Sequence, residues 1–380
     1  MKLLSVDIGT GTQDVFLLDT ELSVENGYKL ILPSPTLMIH KKLRRAAQER
    51  CDVLLTGKLM GGGPSGWGAQ NHIRAGLKVY ATPEAAQTLD DDLDAVREQG
   101  VVVVSVDEAT ALPGNVERIE MRDFDFASLK KAFALFDISL DNLAAVCVAV
   151  FDHGAAPSGV SDRKFRFDYL NRCIHAKNKL STFAYRSKNI PAIMTRLQAV
   201  ADSASDLRCP LIVMDTAPAA VLGATLDPVT QTHEHGLFVN VGNMHTLAFR
   251  LGAGGIEGVF EHHTGFLDQA HLEELLLDFA AGTLTNESVY GSHGHGALIY
   301  SKEPLPMDHE DFNLVVTGPR RGMLQGSPLK PYYAVPYGDM MVSGCFGLLR
   351  AAAGLLPEHG EAILNALQGK SVARAPWELV

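Results

Sequence analysis

Asp7, Gly9, Thr10, Gly11 and Thr12 fall within the segment Leu3 to Asp19, L-L-S-V-D-I-G-T-G-T-Q-D-V-F-L-L-D, and together they are suited to holding a phosphate. The two glycines allow positive φ and close approach of an anion, and the threonine hydroxyls add donors to the N–H groups of the turn. An acid at the entrance of such a loop suits a divalent cation held, through water, against the phosphates. Asp7 is therefore a candidate metal-facing residue, although a plain hairpin whose loop only turns the chain would use the same residues.

A second segment, Phe238 to Leu251 (F-V-N-V-G-N-M-H-T-L-A-F-R-L), repeats the first. Laying Gly9 on Gly242 pairs Val6 with Val239, Asp7 with Asn240, Ile8 with Val241 and Phe16 with Phe249. Self-similarity at a long offset predicts two related halves, with two hairpins closing on a polyphosphate from both sides.

A third candidate is Asp152. The apolar run Leu143 to Phe151 reads as a strand buried on both faces, and it delivers Asp152-His153-Gly154 to its carboxyl end, where open α/β sheets place ligands. Asp152 can serve there as a general base or as a ligand to a metal-bound water. His153 fits a structural role as well as a chemical one. Arg163, Lys164 and Arg166 read as a basic loop, more solvated than phosphate-binding. Gly318-Pro319-Arg320-Arg321 follows a strand expected over Phe312 to Thr317, where backbone can lie against a nucleoside and an arginine can stack on a base.

Histidines occur in pairs at His233 and His235, His262 and His263, and His293 and His295. Imidazoles can ligate metals, but spacing places no carboxylate or cysteine beside them, so loop histidines without a ligand are the favoured reading. Asp90, Asp91, Asp92 and Asp94 read as the solvated face of a helix starting at Pro83. The glycine-rich stretch Gly57 to Gly68 lacks both G-x-x-x-x-G-K-[ST] and G-x-G-x-x-G, so it reads as a turn or a lid.

These residues need a scaffold of alternating strands and helices. Three strands form a meander at the start, helix and strand signals alternate from Thr36 to Val106, and a buried strand at Pro210 to Asp215 runs into the small-residue helix Thr216 to Ala224. With 380 residues the chain exceeds one ordinary core, and two domains are expected. The predicted division is 1–227, with an inserted α/β subdomain over 36–115, and 228–380 with a closing helix.

Composition narrows the function classes. A net charge of −11 without a dense Lys/Arg run argues against nucleic acid as a partner. Apolar runs are too short to span a bilayer and the start has no secretory pattern, so the expectation is a cytoplasmic protein with no membrane partner. Five scattered cysteines offer neither a disulfide framework nor a metal motif and read as core thiols.

With these pieces in order, the chain resembles the superfamily of sugar and acetate kinases, actin and the heat-shock chaperone ATPases. D-I-G-T-G-T at Asp7 to Thr12 is similar to the first phosphate motif, and V-N-V-G-N-M-H-T at Val239 to Thr246 to the second. D-T-A-P-A-A-V-L-G-A at Asp215 to Ala224 is similar to the connecting segment, and V-V-T-G-P-R-R at Val315 to Arg321 to the adenosine motif. The resemblance implies an α/β fold of two ribonuclease-H-like domains, the actin-like ATPase fold, around a cleft for ATP and Mg. It implies phosphate contacts from Gly9, Thr10, Gly11, Thr12, Gly242, Asn243, His245 and Thr246, nucleoside contacts from Gly318 and Arg320, and a metal near Asp7, Asp152 and Asn240.

Two departures stand out: Asn240 replaces the usual acid, and Pro319 replaces a usual glycine. The whole chain also resembles a prokaryotic family labelled pyruvate formate-lyase activating protein, although radical activation needs a C-x-x-x-C-x-x-C motif that these cysteines do not supply. The expected function is an ATP-binding phosphotransferase or ATPase acting on a small-molecule acceptor, with Asp152 catalytic. The alternatives are a nucleotide-dependent switch for a partner enzyme and a scaffold that has lost nucleotide binding.

Overall fold

The computed structural model describes residues 1–157, 159–233, 235–307, 313–370 and 374–378. Mixed α/β architecture is observed, with three sheets among the described residues. The first is built from β1 (Lys2–Ile8), β2 (Thr12–Asp19), β3 (Tyr28–Pro33), β8 (Leu143–Val150), β9 (Ala184–Arg186) and β10 (Leu211–Asp215), in the order β3-β2-β1-β8-β10-β9. The second uses β11 (Gly236–Val241), β12 (His245–Gly252), β13 (Gly255–His263), β14 (Gly296–Ile299), β15 (Leu314–Thr317) and β16 (Tyr332–Tyr333), in the order β14-β13-β12-β11-β15-β16. The third is a small parallel sheet of β4 (Val53–Gly57), β5 (Val79–Ala81), β6 (Val102–Val103) and β7 (Glu117–Met121). Its last strand lies beyond residue 115.

The two large sheets share a plan. In each, an antiparallel three-strand meander is followed by two strands parallel to its first: β8 and β10 in one, β15 and β16 in the other. The hairpins repeat residue for residue. Asp7 faces Asp14 and Ile8 faces Gln13 in the first, while Asn240 faces Leu247 and Val241 faces Thr246 in the second. Gly9 N–H donates to Thr12 O at 2.9 Å, and Gly242 N–H donates to His245 O at 3.0 Å. Two segments with this little identity share a register because each hairpin has the same turn length and closes its turn with the same backbone hydrogen bond.

Strand β8 separates two cores. Ala145, Cys147 and Ala149 pack on one face, and Val146, Val148 and Val150 on the other, as a strand buried on both sides requires. The first of these cores continues into the second sheet through Phe249 and Val259 and into the helix Ser343–Leu355. That helix crosses the helix Thr216–Ala224 with backbones in contact, since a Cβ on Gly223 would meet Ser343 O and one on Gly347 would meet Ala219 O. The small-residue run is thus a close helix crossing. Cys147 and Cys345 are fully buried, while Cys51, Cys173 and Cys209 are partly buried, and all five are free thiols.

Several sequence expectations change. Arg163, Lys164 and Arg166 sit on a helix, Asp162–Ala176, rather than in a loop. Two short helices, Pro83–Ala86 and Leu93–Glu98, replace the single acidic one. Asp90 and Asp92 occupy the turn between them, and Asp92 caps the second by accepting from Asp94 N–H at 2.9 Å. The strand expected from Phe312 begins at Leu314, and Phe312 itself lies outside the described residues.

Candidate functional site

A cleft of about 950 Å3 opens between the tips of the two hairpins. Gly9, Thr10 and Thr12 line one wall, and Gly242, Asn243 and His245 the other. The tips touch: a Cβ on Gly11 would stand 2.5 Å from Asn243 Nδ2. Facing turns were expected, but the N–H groups of Gly9 and Gly242 are not free for a phosphate, because each closes its own turn. Thr246 is also withdrawn, fully buried, with its hydroxyl 3.0 Å from that of Thr264. Gly318 and Pro319 reach the cleft, whereas Arg320 is exposed outside it. Gly318 has φ of +97° and lies against Asn240 Oδ1, so the turn after β15 is held on the second hairpin.

Just behind the tip of the first hairpin two acids meet. Asp7 Oδ1 accepts from Thr216 Oγ1 at 2.5 Å, and its other oxygen lies against Gly344. Burial, offset by the Thr216 hydrogen bond, pushes the Asp7 carboxyl up to about 7. Asp14, directly opposite, is buried with Oδ1 unpartnered, and burial followed by the charge of Asp7 pushes it up to about 8. Asp14 belongs to no motif, although the register of a hairpin, which follows from its turn, places it beside Asp7.

Asp152 is 3% exposed at the end of β8. Burial raises its pKa to about 6 against two backbone hydrogen bonds. Its Oδ1 accepts from Gly154 N–H and its Oδ2 from Leu197 N–H, both at 2.8 Å. Both oxygens thus tie the loop after β8 to the helix Thr195–Ser203. His153 lines the cleft and is exposed.

Behind the cleft wall lies a buried ionic network that spans both large sheets. Arg166 is fully buried and donates from Nη1 to Asp215 Oδ2 at 2.8 Å and from Nε to Glu261 Oε2 at 2.7 Å. It also donates to Asp152 O at 2.9 Å and lies over the Phe151 ring at 4.1 Å. Although burial would raise the Glu261 carboxyl, the Arg166 guanidinium and neighbouring imidazoles hold it well below the usual carboxylate range. The solvated basic loop of the sequence reading is therefore, at Arg166, the centre of the polar core.

Three histidines converge on Glu261. His245 and His263 are cross-strand partners at the ends of β12 and β13, and His295 immediately precedes β14. His245 Nδ1 is hydrogen-bonded to Glu261 Oε1 at 3.1 Å, and His295 Nδ1 lies 3.0 Å from the same oxygen, off the hydrogen-bonding direction. Burial and the other imidazoles push His263 down to about 4, and burial lowers His245 against its hydrogen bond with Glu261. The histidine pairs of the sequence do not act as pairs. His262 turns away to His263 O and Ser292 Oγ, and His293 and His235 are exposed.

The family model described as "Putative pyruvate format-lyase activating enzyme (DUF1786)" matches residues 60–323, more than half of the chain. The chain belongs to this family. No curated protein matches it. Among solved structures it is similar to the ethanolamine utilization protein EutJ from Carboxydothermus hydrogenoformans, at 11% identity over 92% of this chain and 89% of that one, with a TM-score of 0.31. It is similar to the ROK hexokinase from Thermus thermophilus at 14% identity, over 99% of this chain and 91% of that one, with a TM-score of 0.23. A ROK family transcriptional regulator, homolog of the E. coli MLC protein, matches at 10% identity with a TM-score of 0.24. That match covers 67% of this chain, which spans 37% of the regulator's length. Among the described residues no helix is long and apolar enough to cross a membrane.

Proposed function

We propose that this DUF1786 chain is a nucleotide-binding phosphotransferase or ATPase of actin-like architecture, with two ribonuclease-H-like halves closing on ATP in the cleft. One observation carries the reading: the two hairpins repeat in sequence, register and turn hydrogen bond, and their tips meet at Gly11 and Asn243 over the cleft. A magnesium ion fits the acid pair. Asp14 Oδ1 is buried without a partner and faces the strand position of Asp7, so a cation would supply what burial denies both carboxylates. Mg would screen the polyphosphate charge there, while Thr10, Thr12 and Asn243 would orient the phosphate oxygens.

A second reading is supported by Asp152. With both oxygens engaged by backbone N–H groups, Asp152 is better placed to hold the loop and helix together than to take a proton from an acceptor. That favours a nucleotide-dependent switch acting on a partner enzyme, closing on ATP with slow turnover. Thermal shift against ATP, ADP and GTP with and without magnesium tests both readings, because a ligand of the folded state raises Tm by mass action. A magnesium-dependent rise is expected. No rise at millimolar nucleotide would overturn both.

A further inference from the structure

The three histidines around Glu261 lie outside the phosphate and acid chemistry of the proposed function, which rests on Thr10, Thr12, Asn243 and the Asp7–Asp14 pair, and their arrangement has a use of its own. Ligand atoms of His245, His263 and His295 all lie within 4.8 Å of one another. Two of them, His263 Nε2 and His295 Nε2, are 3.2 Å apart. Metal–nitrogen bonds of about 2.0–2.1 Å in a tetrahedral site set neighbouring nitrogens roughly 3.3 Å apart, so this pair already has the required spacing. His245, half-buried at the cleft wall, supplies the third ligand atom within 4.8 Å of the other two.

Orientation points the same way. Glu261 Oε1 is hydrogen-bonded to His245 Nδ1, so a proton on that nitrogen leaves His245 Nε2 with its lone pair directed away from the carboxylate, and His295 presents its own Nε2 to His263 Nε2. Arg166 fixes Glu261 in turn, and Phe151 stacks on His245 with ring centroids 4.3 Å apart, limiting ring rotation. The rings come from a hairpin turn, a strand end and the start of an edge strand, on elements locked by sheet pairing. All three line the cleft, so one side of the triangle is open to it.

We propose that His245, His263 and His295 bind one divalent transition-metal ion of the Zn2+ class, with its fourth position open to the cleft for water or an anionic oxygen. Imidazole ligands suit Zn2+, Co2+, Ni2+ or Fe2+ rather than Mg2+ or Ca2+, which take oxygen. Three histidines with an open position are the arrangement of a catalytic rather than a structural site. The site does not depend on nucleotide binding, and its test omits nucleotide.

The test titrates chelator-treated full-length protein with ZnCl2 by calorimetry and with CoCl2 by visible absorption, and measures bound metal after desalting. One equivalent per chain is expected, with cobalt bands of a four-coordinate site. His263→Gln and His295→Gln should each weaken binding at least tenfold, with thermal melts in the absence of metal confirming that the variants are folded. His293→Asn, which removes an exposed imidazole two residues from His295 at a positive-φ position that asparagine tolerates, should bind as the unaltered protein does. Sub-stoichiometric binding, or binding unchanged in both folded variants, would overturn the proposal.

Discussion

Asp7 and Asp14 face each other directly across the first hairpin, both buried, and burial followed by the charge of Asp7 disfavours ionisation of Asp14. Asp7 has the Thr216 hydroxyl as a donor, whereas Asp14 has an oxygen with none. The pair is therefore a reservoir of unfavourable charge that a proton or a cation can relieve.

This makes apo stability pH-dependent. A carboxyl whose folded pKa is raised to about 8 stays protonated in the native state while the unfolded chain ionises near pH 4, so stability falls as pH rises between those values. Asp14→Asn removes the charge without changing shape. The variant should gain on the order of 5 kcal/mol over the unaltered protein at pH 8 and little at pH 4, read from urea unfolding at both. Magnesium with nucleotide should stabilise the unaltered protein more at pH 8 than at pH 6 and lose that effect in the variant. Equal pH slopes for the two proteins would show that Asp14 ionises freely.

A separate expectation concerns the hairpin tips. Gly11→Val places branched carbon against the Asn243 side chain, an amide that can swing aside, so the stability cost should stay within about 0.5 kcal/mol. The displaced amide and the wedge between the tips should weaken nucleotide binding roughly tenfold or more, since a misplaced contact costs that much. A nucleotide-induced Tm shift equal to that of the unaltered protein would mean that ligand does not lie between Gly11 and Asn243.

Much of the fold was legible because it rests on local pattern. The apolar runs of β1, β2, β8 and β10, bounded by turn residues, and the internal match of Asp7 with Asn240, point to two hairpins whose observed registers coincide. The polar core was not legible. Arg166 reads as one cation in a basic run, and only the tertiary fold brings it to Asp215, 49 residues away, and to Glu261, 95 residues away. Similarly, His263 and His295 each belong to a sequence pair whose other member points elsewhere, so pairing by adjacency hid the grouping made by cross-strand contact between His245 and His263. The cue that was available is alternation: Glu261 and His263 lie on the same face of β13, opposite a histidine that opens β12.

Arg166 supplies the last expectation, because its two carboxylate partners come from the two large sheets. Asp215 ends β10 and Glu261 lies in β13, so the guanidinium ties the halves together through a fully buried ion network. Arg166→Leu keeps much of the apolar stem but leaves two buried acids without their cation, and breaking a buried network in this way costs about 3–5 kcal/mol. The sign of the pH effect follows from Glu261. In the unaltered protein its depressed pKa contributes stability that is present above the unfolded value near 4 and is lost as pH falls through the folded one. Without the guanidinium, burial would dominate and raise the pKa of Glu261, so the variant should lose stability as pH rises from about 4 toward 7, opposite to the contribution Glu261 makes in the unaltered protein. Urea midpoints measured at pH 5 and pH 7.5 check both the size and the direction. A deficit under about 1 kcal/mol at pH 7.5 would mean that water reaches the two carboxylates and that the network does not couple the sheets.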